Sequence, residues 1–248
     1  MDKALYIAMS GAKQNMLSQT AHANNLANAS THGFKADFAQ ARSMPVFYGP
    51  GHPSRAFALS ERPATNFNPG PMMETGRALD IAIEGDGFIA VQAPNGEEAY
   101  TRVGSLFVDS LGMVKTGNNL PVLGNGGPIA LPPAATIEIA IDGSITVVPL
   151  EQGVEAVVLA DRIKLVNPPL ETLHKAEDGL FHRMEAEEDV VADARIRVTS
   201  GFLEGSNVNA VHELTSVMQL SRQYEMQVKI MQAAKEESES SARLLQNS

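Results

Sequence analysis

The residues best suited to acid–base chemistry stand close together in LDIAIEGDGF, where Asp80, Glu84 and Asp86 flank a glycine turn. Two carboxylates facing across a cleft can serve as acid and base, or as acid and nucleophile, in glycoside hydrolysis. The alternation of LDIAIE instead sets Asp80 and Glu84 at the two ends of an apolar strand, an ordinary place for solvated turn carboxylates. Other candidates fall on spacing. His22, His32, His52, His174, His182 and His212 make no HxH, HxxxH or HExxH pair, and cysteine is absent, so neither a metal site nor a disulfide is expected. GNGGPI, Gly124 to Ile129, has neither the GKS or GKT ending of a phosphate loop nor the third glycine of GxGxxG. Ser200 sits in SGFLEGS, which is not the GxSxG elbow. Asn28-Ala29-Ser30 matches a glycosylation sequon, but the opening MDKALYIAMSGAKQ lacks the parts of a secretory signal, so any export must use another route. The expectation is no catalytic residue, no cofactor and no metal.

The elements that would have to position chemistry are long helices at the two ends. Over residues 3–29, Leu5, Met9, Ala12, Met16, Ala23 and Leu26 recur at alternating steps of four and three, with Gln19 as the polar interruption. That is the 3.5-residue seam of a coiled coil, on a helix about 40 Å long. Ala210, Leu214, Val217, Tyr224, Val228, Met231, Ala242 and Leu245 follow a matching track, with Ser221, Lys235 and Ser238 as its polar members. No proline follows Pro169, and Asn207 or Asn209 can cap this second helix. Helices draw most of their stability from packing, so the seams are expected to meet each other and neighbouring copies. ANNLANASTHGFK then puts Asn24, Asn25 and Asn28 in the last turns of the first helix, although asparagine is a poor helix former. An amide in a packed seam weakens it but fixes register; at a frayed end it is merely solvated. Gly33 suits a chain exit that needs positive φ, and Phe34 follows as an anchor.

Between the helices the period changes to two. TIEIAIDGSITVV reads as a hairpin about Asp142-Gly143, LDIAIEGDGFIAVQ as two strands, and SLFVDSLGMVKTG as a pair about Ser110 to Gly112. VEAVVLADRIKLV and ARIRVTSGFLEG add further strands, whereas residues 44–75, rich in Pro, Gly and Asn, read as an extended connector. The fold class is α+β, with long terminal helices paired as a coiled-coil layer and flanking an all-β centre. Net charge is −10, of which residues 1–42 carry +2 and residues 211–248 carry −1, so the acidity belongs to the centre. An acidic body disfavours nucleic acid, and no apolar run is long enough to span a membrane.

ANNLANASTHGFK resembles the N-terminal signature of the bacterial flagellar rod and hook proteins. RALDIAIEGDGFIAVQ with YTRVGSLFVDSLGMV is similar to that family's central β segment, and LEGSNVNAVHEL with RQYEMQVKIM to its C-terminal helix entry. The length, GGPIALP, DRIKLV and DGLF are nearest to the proximal-rod members. The resemblance implies a structural subunit of the basal-body rod, self-assembling through its terminal helices into a helical tube that transmits torque and carries the export channel. It implies copies of itself and other axial proteins as partners, export by the flagellum's type III apparatus, and a rod crossing the periplasm. The expected organisation is an N-terminal helix over 1–35, a connector over 36–75, a β domain over 76–200 and a C-terminal helix over 201–248. The expected assembly interface is Leu5, Met9, Ala12, Met16, Asn24, Asn25, Leu26, Asn28, Gly33, Phe34, Asn207, Leu214, Val217, Tyr224, Val228, Met231 and Leu245. A distal rod or hook subunit, or a periplasmic glycan-acting enzyme using Asp80, Glu84 and Asp86, is the alternative.

Overall fold

The four-three tracks at the two ends become helices α1, Asp2–Ala27, and α2, Ala210–Gln246. Asn209 starts α2: its Oδ1 accepts the N–H groups of Val211 and His212, each at 3.1 Å, which satisfies two donors the first turn would otherwise leave open. Glu213 adds an acidic group to that first turn, where the helix dipole favours it. The computed structural model describes residues 2–38, 41–45, 56–60, 64–149, 157–184 and 190–246. They fall into two compact units, a helical unit of Met1–Ala29, Ala36–Asn66 and Val208–Ser248, and a β unit of Ser30–Lys35 and Phe67–Asn207.

In the helical unit α1 and α2 touch, and two antiparallel ribbons accompany them: Asp37–Phe38 with Ala64–Thr65, and Ala41–Pro45 with Ala56–Ser60. The stretch read as a connector with little regular structure therefore carries short strands, and Met72–Glu74, in the β unit, pairs with Phe202–Glu204. Strands of two or three residues show no period, and a partner so far along the chain leaves no mark on local composition. The remainder of that stretch, 39–40, 46–55 and 61–63, lies outside the described residues.

The β unit is antiparallel throughout its described strands. Its largest sheet runs Leu165–Val166, Phe88–Gln92, Glu98–Thr101, Phe181–Arg183, Leu173–Lys175. Phe88–Gln92 is buried on both faces, and the period of two sorts its side chains: Ile89 and Val91 join one apolar core, Phe88 and Ala90 the other. The first core also takes Ile81, Leu106, Val114, Ile145 and Ile163; the second holds Tyr100 and a cluster of Phe67, Phe88 and Phe181 with ring centroids 5.3–6.0 Å apart. Each fully buried aliphatic or aromatic side chain contributes about 1.5–3 kcal/mol. The Asp142-Gly143 hairpin forms as its sequence indicates, with Ile137 opposite Val147 and Ile139 opposite Ile145, Gly143 at φ 82°, and Asp142 accepting the Ser144 N–H. LDIAIEGDGFIAVQ does give two strands, but they join different sheets: Ile81–Glu84 pairs with Arg197–Ser200, not with Phe88–Gln92.

One close approach pins this unit. The Ile81 N–H donates to the Gly104 carbonyl at 2.9 Å, and a Cβ on Gly104 would stand 1.7 Å from the Ile81 oxygen. Gly104→Ala is expected to lower stability by about 2 kcal/mol or more through backbone displacement. Urea unfolding followed at the β unit checks this, and an unshifted midpoint would show that the two backbones separate freely.

Candidate assembly interface

The stripe of α1 that is covered within the chain is built of small and polar residues. Ala8 and Ala12 are buried, Gln14 and Asn25 with them, and the place where Gly11 lacks a Cβ is taken by the Gln227 side chain of α2. Small residues let two helix axes come close, and the amide fills the gap. A second tie is polar: His22 Nδ1 lies 2.5 Å from Glu213 Oε2. The bulky members of the predicted seam are mostly turned away. Leu5, Met9 and Met16 are 38–62% exposed, as are Leu214 and Tyr224 at 50% and 40%, and Tyr6, Leu17, Met218, Met226 and Ile230 add to this uncovered surface. Ala12 is the member of the α1 track that is fully covered; Leu26, Val217, Val228 and Met231 are half-buried. Leu5, Val228 and Met231 meet in an open, mostly apolar cleft of about 350 Å³ completed by Gln232, Ala234, Lys235 and Ser238. The side chains of Ala242 and Leu245 lie outside the described residues. A stripe read from period alone cannot tell which of two adjacent helical faces is turned inward, which is why the bulky side chains and the covered ones differ.

The three asparagines have three fates. Asn25 is 1% exposed, and its amide is used inside the chain as a peptide mimic: Nδ2 donates to the Asp37 carbonyl and Oδ1 accepts the Asp37 N–H, both at 2.8 Å. Asn28 closes the helix end, its Nδ2 donating to the Asn24 carbonyl at 3.0 Å and to Asn24 Oδ1 at 2.9 Å. Asn24 is exposed. Helix α1 stops at Ala27, so Gly33 is not its terminating residue. Gly33 does hold φ at 69°, and a Cβ there would meet the Arg102 carbonyl at 2.5 Å, so both backbone and space require glycine. Phe34 lies under a cation, with Lys175 Nζ 3.8 Å from its ring centre.

Next to that exit is a cluster that sequence reasoning missed. Glu204, buried, accepts from Lys35 Nζ at 2.6 Å and from the Gly70 N–H at 2.9 Å through Oε1, and from Arg102 Nη1 at 2.9 Å through Oε2. Lys35 also donates to the Asn68 carbonyl, and Arg102 to the Gly85 carbonyl at 2.6 Å while standing 5.5 Å over the Phe88 ring. Burial pulls both Lys35 and Arg102 below their usual values, with Glu204 as the main counterweight and Asp86 adding a smaller one. The signal lay in the quoted motifs themselves: a lysine closing THGFK, between Phe34 and Ala36, and a glutamate in LEGSN, between Leu203 and Gly205.

The carboxylates weighed for catalysis serve the fold separately. Asp80 is buried with Arg77 Nη1 at 3.6 Å, and its carbonyl accepts the Gly201 N–H. Glu84 takes the Thr199 hydroxyl at 2.6 Å, and Asp86 faces the Lys35 and Arg102 charges. Among the described residues no group of His, Asp and Glu could hold a metal ion, and no helix is long and apolar enough to cross a membrane. The terminal helices leave bulky side chains uncovered, and Asp80 and Glu84 bond within the β unit, an arrangement in keeping with a structural subunit. Three family models match in chain order: the flagella basal body rod protein over residues 5–35, the flagellar hook protein FlgE/F/G D1 domain over 82–147, and the flagellar basal body rod FlgEFG protein C-terminal region over 199–244. The chain belongs to the flagellar basal-body rod protein family. It is 41% identical over 237 residues, 93% of each chain, to the flagellar basal-body rod protein FlgF of Escherichia coli K12. It is 39% identical to FlgF of Salmonella typhimurium over 95% of each chain, and 34% identical to FlgF of Caulobacter vibrioides over 99% of this chain and 98% of that one. FlgG relatives share 27–30%. The likeness is thus stronger to FlgF than to FlgG.

Asn25→Ala removes both bonds to the Asp37 backbone and is expected to cost about 2 kcal/mol or more, seen as faster amide exchange at Asp37. Lys35 yields a pH prediction. Its folded value lies below 10.5, so over the interval between the two the unfolded chain binds the proton that the folded one has released, and stability rises with pH. The stability difference between the protein and Lys35→Met is therefore expected to move in the protein's favour as alkaline pH climbs through that interval, measured by urea unfolding at successive pH values.

Proposed function

We propose that the chain is a proximal-rod subunit of the flagellar basal body whose terminal helices pack, coiled-coil fashion, with those of copies and of other rod proteins to form the inner layer of a helical tube. The family supplies the rod and its structural, non-enzymatic role. The single observation that carries the packing is the set of large apolar side chains left uncovered on both helices, Met9, Met16, Leu214, Met218 and Tyr224 among them. An apolar surface of this kind is kept for a partner. Contacts that are heterologous and do not close generate a tube rather than a ring. Asn24 and Asn28, at the α1 end, are the amides placed to select axial register, whereas Asn25 holds its own chain. The tube would transmit torque and enclose the export channel, and the subunit would reach it through the type III apparatus. The division into an N-terminal segment 1–35, a connector 36–75, a β domain 76–200 and a C-terminal segment 201–248 belongs to this reading, with the helices themselves confined to Asp2–Ala27 and Ala210–Gln246.

Met16 is 62% exposed, so Met16→Asp should change the stability of the isolated subunit by no more than about 0.5 kcal/mol. The same substitution, and Val228→Asp in the cleft, are expected to abolish rod assembly and motility. Cells that swim normally with either change would refute the packing role of these faces.

A further inference from the structure

The chain passes between its two units at residues 29/30, 35/36, 66/67 and 207/208. The three β-unit stretches that these passages open or close are each bound at or beside one buried carboxylate, within residues 33–35, 68–71 and 204–207. Segment 30–35 is held by Lys35 Nζ on Glu204 Oε1 at 2.6 Å and by the Gly33 N–H on the Glu204 carbonyl at 2.8 Å. The segment that begins at Phe67 is held by the Gly70 N–H on Glu204 Oε1, by Lys35 Nζ on the Asn68 carbonyl, and by the Gly205 N–H on the Pro71 carbonyl at 2.8 Å. The last passage leaves through Asn207, whose N–H reaches the Phe34 carbonyl at 3.4 Å and whose Nδ2 donates to the Asn68 carbonyl at 2.9 Å. Arg102 anchors this knot to the sheet, being bonded to Glu204 and to the Gly85 carbonyl. Space is as restricted as the bonding: a Cβ on Gly70 would stand 2.0 Å from the Gly205 oxygen.

We propose that Glu204, with Lys35 and Arg102, is a positional staple that gathers all four passages at one rigid point of the β unit, so that load carried by the helices enters the β unit there. The load-bearing part rests on the rod reading above; the staple itself does not. A buried ionic triad is a poor way to gain stability, since well-packed apolar side chains of similar volume often serve as well or better. What such a triad supplies is position: a carboxylate with three donors, two of them from separate segments, has one satisfied arrangement, and an apolar contact has many.

The test uses the full-length protein. The triple variant Lys35→Met, Arg102→Met, Glu204→Met keeps volume and removes the charges; Glu204→Asp keeps the charge and withdraws its reach by one methylene. For both, amide exchange is measured at Gly33, Gly70 and Asn207 alongside exchange at Ile89 and Val91 in the sheet. The staple predicts exchange at the three passage amides faster by roughly tenfold or more, with the sheet amides unchanged, and swimming that fails first in viscous medium. Passage amides as slow as in the parent protein in a variant whose sheet amides are native would overturn it. If the triple variant fails to fold, Glu204→Asp gives the same two outcomes. Failure of the rod reading shows separately, as normal motility in Met16→Asp with the passage amides untouched.

Discussion

A carboxylate withdrawn from water is tolerated only when its lone pairs are met, and Glu204 is met by an ammonium, a guanidinium and a backbone N–H. Much of the β unit's detail follows from that requirement. Lys35 must come to the end of the THGFK segment and no further; Gly33 must turn with positive φ against the Arg102 backbone to allow it; Gly70 and Gly205 must lack side chains where their backbones cross. Arg102 in turn lies over Phe88, whose ring belongs to the second apolar core. A single charge thus ties motif glycines, an aromatic cluster and three separated stretches of sequence into one arrangement.

The helices present the opposite condition. Where α1 and α2 meet, Gly11 receives the Gln227 side chain, His22 pairs with Glu213, and Leu5 joins Val228 and Met231 in a cleft, while Met9, Met16, Leu214, Met218 and Tyr224 stay exposed. Apolar area left in water is an unclaimed driving force of about 25 cal/mol per Å². On the rod reading proposed above, that surface is the part offered to neighbouring subunits. In the β unit both faces of the central strand Phe88–Gln92 are already covered, although Leu111, Ile141, Leu159 and Val191 stand exposed at its surface.

The helices, the central strands and the Asp142-Gly143 turn were legible because each carries a local signal: a four-three track, a period of two, or a turn residue of defined φ. Asn209 as the α2 cap was legible for the same reason. What escaped was non-local. Of the short strands between residues 37 and 74, Met72–Glu74 is specified by the distant Phe202–Glu204 and the others by one another, and the separation of Ile81–Glu84 from Phe88–Gln92 depends on Arg197–Ser200 claiming the first of them. The asparagines show the limit well. Three amides at a helix end signal a polar task, but only the geometry distinguishes Asn25, spent on the Asp37 backbone, from Asn24, left outside. Lys35 and Glu204 stood in plain view within the family motifs, and nothing local reveals that residues so distant share an ion pair.

The joint between α1 and α2 at Gly11 has a consequence for how closely the two helices can lie. The Gln227 side chain occupies the space that a Cβ on Gly11 would need, so any larger residue there would push the two helices apart. One missing methyl group thereby sets the distance between the two helix axes at that level.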